Sequence, residues 1–213
     1  MNKNLFGIFI KYPEPGRVKT RLAKDIGNKK AADICRQVVE LILKNTMPFN
    51  HTYDRIVFYD PAARQKDFAA WLPEEQFVLQ QGSDVGARMG NAVREMLDRG
   101  AEKVVLTGAD IPDLSARIIE SAFQELNRAD TVIGPARDGG YYLIGMKSPH
   151  PEIFRNIPWS TPRVLEDTLM ELRRLRLSVT LIERLSDMDT VEDLQHFLST
   201  DKSTICTYRP WLA

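Results

Sequence analysis

A carboxylate at the end of an apolar run, and four cations packed into eight residues, are the parts of this sequence that could do chemistry. The carboxylate is Asp110, in Thr107-Gly108-Ala109-Asp110-Ile111-Pro112-Asp113, directly after the run Val104 to Leu106. That run has the length of a strand buried on both faces, and Pro112 stops it from continuing as a central strand. Open α/β sheets bind ligands at the carboxyl ends of their strands. An aspartate there can hold a hard divalent cation, Mg²⁺ or Mn²⁺, against a diphosphate; it can equally cap a turn. The cations are Arg17, Lys19, Arg21 and Lys24, in a proline- and glycine-rich stretch that follows Leu5–Ile10. Guanidinium and ammonium groups bind phosphate through charge-assisted hydrogen bonds, and Gly16 permits close backbone approach. The Walker pattern is absent, because no second glycine precedes a Lys-Ser/Thr pair. A solvated basic turn is the competing reading.

Three further segments offer polar groups. Asp84, between Gly82 and Gly86, opens a helix with Val85, Met89, Val93 and Met96 expected inward. Its amino terminus and Arg88 could receive a phosphate or ribosyl group, or Asp84 could be an ordinary cap. Asp138-Gly139-Gly140 is a turn signal. Its glycines remove side chains where a sugar or acceptor could sit, and Asp138 is a candidate base for an acceptor hydroxyl. Tyr141 and Tyr142 alternate in the following strand, so one of them is expected to line a pocket. In Asp187-Met188-Asp189-Thr190, Asp193 and Thr190 resemble a capping box, which leaves Asp187 and Asp189 available.

The elements that must position these groups alternate along the chain. Strands are expected at Leu5–Ile10, Ile56–Tyr59, Phe77–Gln81, Val104–Leu106, Thr131–Gly134, Tyr141–Met146 and Leu177–Ile182. Helices are expected between them, one capped by Thr161 with Pro162 at its first position and buried along Leu165, Leu169, Leu172 and Leu175. This pattern predicts one domain over residues 1–213, a three-layer α/β/α fold with a mostly parallel sheet. The 213 residues are 43% hydrophobic and 27% charged, with 29 basic and 29 acidic side chains. That balance gives no footprint for nucleic acid or an anionic membrane surface. Cys35 and Cys206 have no paired spacing, which argues against zinc or a disulfide framework and suits the cytoplasm. Leu5–Ile10 is too short for a signal-peptide core or a membrane span. The end, around Tyr208–Trp211, is expected to dock; oligomeric state carries no signal.

Five motifs then occur in order: Pro15-Gly16-Arg17-Val18-Lys19-Thr20-Arg21-Leu22, Thr107 to Leu114, Asp138-Gly-Gly-Tyr-Tyr-Leu143, Pro158-Trp-Ser-Thr-Pro162 and Asp187-Met-Asp189-Thr190. Together they resemble a bacterial glycosyltransferase-like family associated by name with arsenosugar biosynthesis. That family lies in the nucleotide-diphospho-sugar transferase superfamily, with the GT-A (SpsA-like) fold. Lys19 to Leu22 also resembles the guanylyltransferase that activates 2-phospholactate, and Asp189-Thr190 with Glu192-Asp193 resembles the molybdenum-cofactor nucleotidyltransferases. Family members usually have Ser and Cys where this chain has Ala109 and Ile111, and a Phe-Ala-Arg ending to the first strand where it has Ile10-Lys11-Tyr12. The resemblance implies Asp110 as principal metal ligand and Asp189 as the second; Asp113 is a weaker ligand candidate, since it or Ser115 can cap the next helix. Nucleotide contacts are expected at Gly16, Arg17, Lys19, Thr20, Arg21, Asp84, Arg88, Gly139 and Gly140, with Asp110 and Asp138 at the reacting centre. The activity implied first is transfer of a sugar from a nucleotide-sugar to a small-molecule acceptor. The second is nucleotidyl transfer from an NTP to a small phosphorylated substrate, and the third is nucleotide binding without catalysis.

Overall fold

The computed structural model describes residues 3–200, so Cys206 and the expected docking of Tyr208–Trp211 lie outside the described residues. Its centre is β1 (Asn4–Lys11), where Leu5, Phe6, Ile8 and Ile10 are fully buried. β1 pairs in parallel with β2 (Asp54–Asp60) on one side and β4 (Lys103–Gly108) on the other. With β3 (Phe77–Leu79), β5 (Thr131–Pro135), β6 (Tyr141–Met146) and β7 (Val179–Leu181), the sheet runs in the order β3-β2-β1-β4-β6-β5-β7. Only β6 runs antiparallel, between β4 and β5. The chain reverses its direction of build at β1, since β2 and β3 extend to one side and β4 opens the other. The crevice outside the carboxyl ends of β1 and β4 is therefore a topological switch point.

Both faces of the sheet are covered, as a parallel sheet of buried apolar strands requires. Phe6, Ile8, Ile10 and Val105 face a cluster with α1 (Thr20–Ile26), α2 (Asn28–Asn45), α3 (Gln65–Trp71), α5 (Ala116–Glu125) and α7 (Val191–Thr200). Leu5, Val104 and Leu106 face a second cluster with α4 (Val85–Asp98) and α6 (Val164–Arg174). This is the three-layer arrangement expected from the alternation of elements. No helix among the described residues is long and apolar enough to cross a membrane.

Three local expectations need correction. The basic stretch is not all loop: Thr20 starts α1, because a helical turn buries Leu22 and Ala23 in the core. Helix α6 starts at Val164, not at Pro162. The Thr161 hydroxyl donates to the Pro158 carbonyl at 2.7 Å and closes a turn, leaving Arg163 at the cap position. Val85 is 49% exposed rather than inward, because it opens α4 and borders a cavity, while Met89, Val93 and Met96 are buried as expected.

Candidate active site

The end of β4 brings the first acid into position. Gly108 closes the strand with no atom within 4 Å of where a side chain would start, and Asp110 follows in the turn. The second acid arrives by an extra rung beyond β7. Leu185 forms a parallel bridge with Ala136; its N–H donates to the Pro135 carbonyl, and its own carbonyl accepts from Arg137, each at 3.1 Å. Met188 N–H then donates to the Asp110 carbonyl at 3.0 Å. Asp193 closes the capping box, accepting from the Thr190 N–H at 2.8 Å and the Thr190 hydroxyl at 2.8 Å. Asp189 is thus fixed opposite Asp110 by backbone bonds.

Between them sits Lys19. Its ammonium lies 2.5 Å from Asp110 Oδ1 and 3.1 Å from Asp189 Oδ1, and its side chain is 3% exposed. The residue takes the left-handed conformation, φ 47°, at the start of α1. Such a backbone costs a non-glycine residue about 1–2 kcal/mol, and here it turns the side chain down between two carboxylates. Burial disfavours the ammonium, but Asp110 and Asp189 outweigh it and raise its pKa above the usual lysine value. Two carboxylates and one ammonium leave a net charge of −1, and Asp110 stays 56% exposed.

These donors fit a hard divalent cation. The two oxygens converge on the Lys19 ammonium, so a divalent cation would have to displace it or share the carboxylates with it; carboxylate oxygen is the chemistry that Mg²⁺ and Mn²⁺ prefer. Among the described residues no group of three or more His, Cys, Asp or Glu is gathered for a metal. A cation here would have one or two protein carboxylates, as Mg²⁺ sites completed by phosphates and water usually do.

Asp110 also borders a cavity of about 240 Å³, together with Gly108, Asp138, Gly140, Trp159 and Asp187. Burial pushes the Asp187 carboxyl above its usual range, and the charges of Asp189 and Asp138 push the same way. Asp138 shapes its own turn, accepting from the Gly140 N–H at 2.8 Å. Both tyrosines border this cavity, where one was expected, because it wraps round the start of β6. Tyr142 donates its hydroxyl to the Glu183 carbonyl at 3.0 Å, and the Tyr141 ring meets Trp159 edge-on at 6.3 Å.

The remaining candidates fall in different places. Arg17 and Arg21 are exposed; Arg17 pairs with Glu14 at 3.7 Å and Arg21 reaches to 4.0 Å from Asp189. Gly16 adopts φ 79° in the turn before them, and Thr20 starts α1. Asp84 caps α4, accepting from the Ala87 N–H at 2.8 Å. Arg88 is engaged by Gln80 at 3.2 Å and Asp60 at 3.5 Å. Neither Asp84 nor Arg88 borders the Asp110 cavity.

Gly139 is filled space rather than room for a sugar. Its φ is +93°, and a Cβ would lie 2.2 Å from the Pro162 carbonyl oxygen. Gly139→Ala should therefore cost about 2–3 kcal/mol, from the strained backbone and the forced displacement of Pro162. In a thermal melt this is a fall of roughly 4–12 °C. A melting temperature within about 1 °C of the parent's would show that the turn is not held as described. The role of Gly139 has no local signature, since its partner lies far along the chain. Gly108 and Trp159 lie inside two of the sequence motifs without an assigned role; a glycine at the carboxyl end of a central strand is the available signal for the first.

A family model described as uncharacterized protein conserved in bacteria (DUF2064) matches residues 44–161, over half of the chain. No curated protein matches. Among solved structures, the chain is similar to a protein from Desulfovibrio desulfuricans G20 provisionally named a nucleotide-diphospho-sugar transferase. Identity is 40%, the match covers 98% of this chain and 91% of that one, and the TM-score is 0.91. It also resembles CMP:2-keto-3-deoxy-manno-octonic acid synthetase complexed with CTP, with 12% identity, 92% and 97% coverage and a TM-score of 0.60. Rv0371c of Mycobacterium tuberculosis H37Rv, in complex with manganese, matches at 13% identity, 92% and 99% coverage and a TM-score of 0.54. The last two likenesses speak for the fold alone. By the match over residues 44–161, more than half of its length, the chain belongs to the bacterial DUF2064 family.

Proposed function

We propose that the protein is a metal-assisted transferase that moves a sugar from a nucleotide-diphospho-sugar to a small acceptor in the cavity beside Asp110. The observation that carries this reading is the pairing of Asp110 and Asp189 across the buried Lys19 ammonium at the switch point of the sheet, which sets two carboxylates side by side. Mg²⁺ or Mn²⁺ held by these two acids would neutralise charge on the departing diphosphate. Arg17 from the adjoining loop and Arg21 from the first turn of α1 bind its phosphate oxygens. Asp138 accepts the proton of the acceptor hydroxyl as its oxygen bonds to the anomeric carbon and the nucleotide diphosphate leaves. The name of the Desulfovibrio relative supports this reading. We read residues 1–213 as one such domain.

A second reading, nucleotidyl transfer from an NTP with release of pyrophosphate, is favoured by the likeness to a synthetase that binds CTP. The products separate the two. A calorimetric screen of UDP, GDP, CTP and GTP with Mg²⁺ or Mn²⁺ finds the base, and the matching nucleotide-sugar or NTP is then incubated with candidate acceptors. Free NDP supports sugar transfer and pyrophosphate supports nucleotidyl transfer. Neither product, with tight nucleotide binding, would leave a binding protein.

The basic loop has its own test. Each charge-assisted hydrogen bond contributes about 1.5–3 kcal/mol, so Arg17→Ala with Arg21→Ala should weaken nucleotide binding at least about 10-fold. Titration calorimetry measures it, and an unchanged affinity would return the loop to a solvated turn.

A further inference from the structure

Beside the Asp110 cavity lies a larger one, of about 410 Å³ against about 240 Å³. Trp159 borders both. Helix α4 divides them by face: Val85 and Met89 look onto the acidic cavity, while Gly86, Gly90 and Arg94 look onto the larger one. Each set repeats at the four-residue spacing that shares a helix face. The facing wall is the loop carrying Phe154, Arg155 and Ile157, whose apolar members are buried and hold Arg155 on anchored backbone. Gly86 makes this packing possible, since a Cβ there would lie 2.5 Å from the Phe154 carbonyl oxygen and 2.6 Å from Trp159 Nε1.

The two cavities differ in charge. The first is bordered by Asp110, Asp138 and Asp187 with no lysine or arginine. The second is bordered by Arg94 and Arg155, against Asp84 alone, whose carboxylate already accepts from Ala87. Among the described residues neither guanidinium has an ion-pair or hydrogen-bond partner. Both arginines are exposed at the rim of this cavity, and Arg94 also borders a neighbouring one with Glu95 and Asp98; two unpartnered guanidiniums on one rim suit an anion, which each can engage through paired N–H donors. We propose that this cavity binds the acceptor, and that the acceptor is a small molecule carrying a phosphate monoester or a carboxylate. The anionic group lies between Arg94 and Arg155, and the hydroxyl reaches past Trp159 towards Asp138. This rests on reading the Asp110 cavity as the transfer site.

The test titrates the full chain at low ionic strength with glycerol 3-phosphate, lactate and glycerol. One or both anions should bind, which identifies the charged group, and glycerol should not. Arg94→Gln with Arg155→Gln should weaken anion binding at least about 10-fold while Mn²⁺–nucleotide affinity stays as in the parent, which also shows that the variant folds. Each single variant should lose less than the pair. Arg17→Ala with Arg21→Ala should give the reverse pattern. Absence of anion binding in the parent, or anion affinity unchanged in the Arg94→Gln, Arg155→Gln chain, would overturn the acceptor site. Anion binding through these arginines without any nucleotide binding would sink the transferase reading alone.

Discussion

Asp110→Asn should fold like the parent and lose metal-dependent nucleotide binding, with turnover down by about 100-fold or more. Asp110 is more than half exposed, so its removal leaves no large cavity, and the buried Lys19 ammonium keeps Asp189 at 3.1 Å as its counter-ion. The change instead takes one negative charge from a cluster whose net charge is −1, leaving Asp189 and Lys19 to cancel. A divalent cation then meets a neutral site with one carboxylate, and the departing diphosphate loses its countercharge. Removing a single preorganised group that meets developing charge typically costs about 10²–10³ in rate. Calorimetry with Mn²⁺ and the chosen nucleotide measures the binding, and a product assay measures the rate. Mn²⁺–nucleotide affinity equal to the parent's would refute the assignment of Asp110 as a ligand.

Lys19→Met should act in the opposite sense on the metal. Without the ammonium the two carboxylates carry −2, so Mn²⁺ alone should bind about 10-fold or more tightly, a change of at least ~1.4 kcal/mol. Stability should fall at the same time. Removing one partner from a buried ion pair costs about 3–5 kcal/mol; the partial exposure of both aspartates screens their repulsion and reduces this to roughly 1–3 kcal/mol. The dependence on pH follows from the direction of the shift. Lys19 has a higher pKa folded than unfolded, so its contribution is full below about 10.4 and is lost as pH rises through the folded value. Urea denaturation should therefore separate parent and variant at neutral pH and bring them together in strong alkali. Added Mn²⁺ should raise the variant's midpoint more than the parent's. A variant that matches the parent in stability and in Mn²⁺ affinity would mean that Lys19 does not bridge the two acids in solution.

Local physics made much of this fold legible. Apolar runs such as Val104 to Leu106 have the length of strands buried on both faces, and the spacing of Leu165, Leu169, Leu172 and Leu175 is that of a helix. Asp110 stood out because a carboxylate directly after an apolar strand has a defined place on the sheet edge, whereas the residues left Asp187 and Asp189 both open and only the family resemblance singled out Asp189. The bridge made by Lys19 did not stand out, because its partner Asp189 is 170 residues away and no local pattern encodes that pairing. The basic loop read as uniformly phosphate-facing for the same reason: type and spacing group Lys19 with Arg17 and Arg21, and only the left-handed turn at Lys19 separates them. Gly139 and Asp84 mark the two sides of that limit. The cap at Asp84 is a local bond and was readable, whereas the clash that fixes Gly139 involves Pro162 from another segment.

The bridge through Lys19 joins the first helix, the turn after the central strand and the approach to the last helix. Contacts of such long sequence separation form late, because loop closure must come before they contribute. On the ribosome, where folding proceeds from the amino terminus, Lys19 and Asp110 can meet long before Asp189 has been synthesised. The second acid arrives only with the strand, rung and capping box that precede α7. On the proposed reading, a nascent chain therefore holds one of the two acids, and the pair is completed in one step when the segment carrying Asp189 emerges.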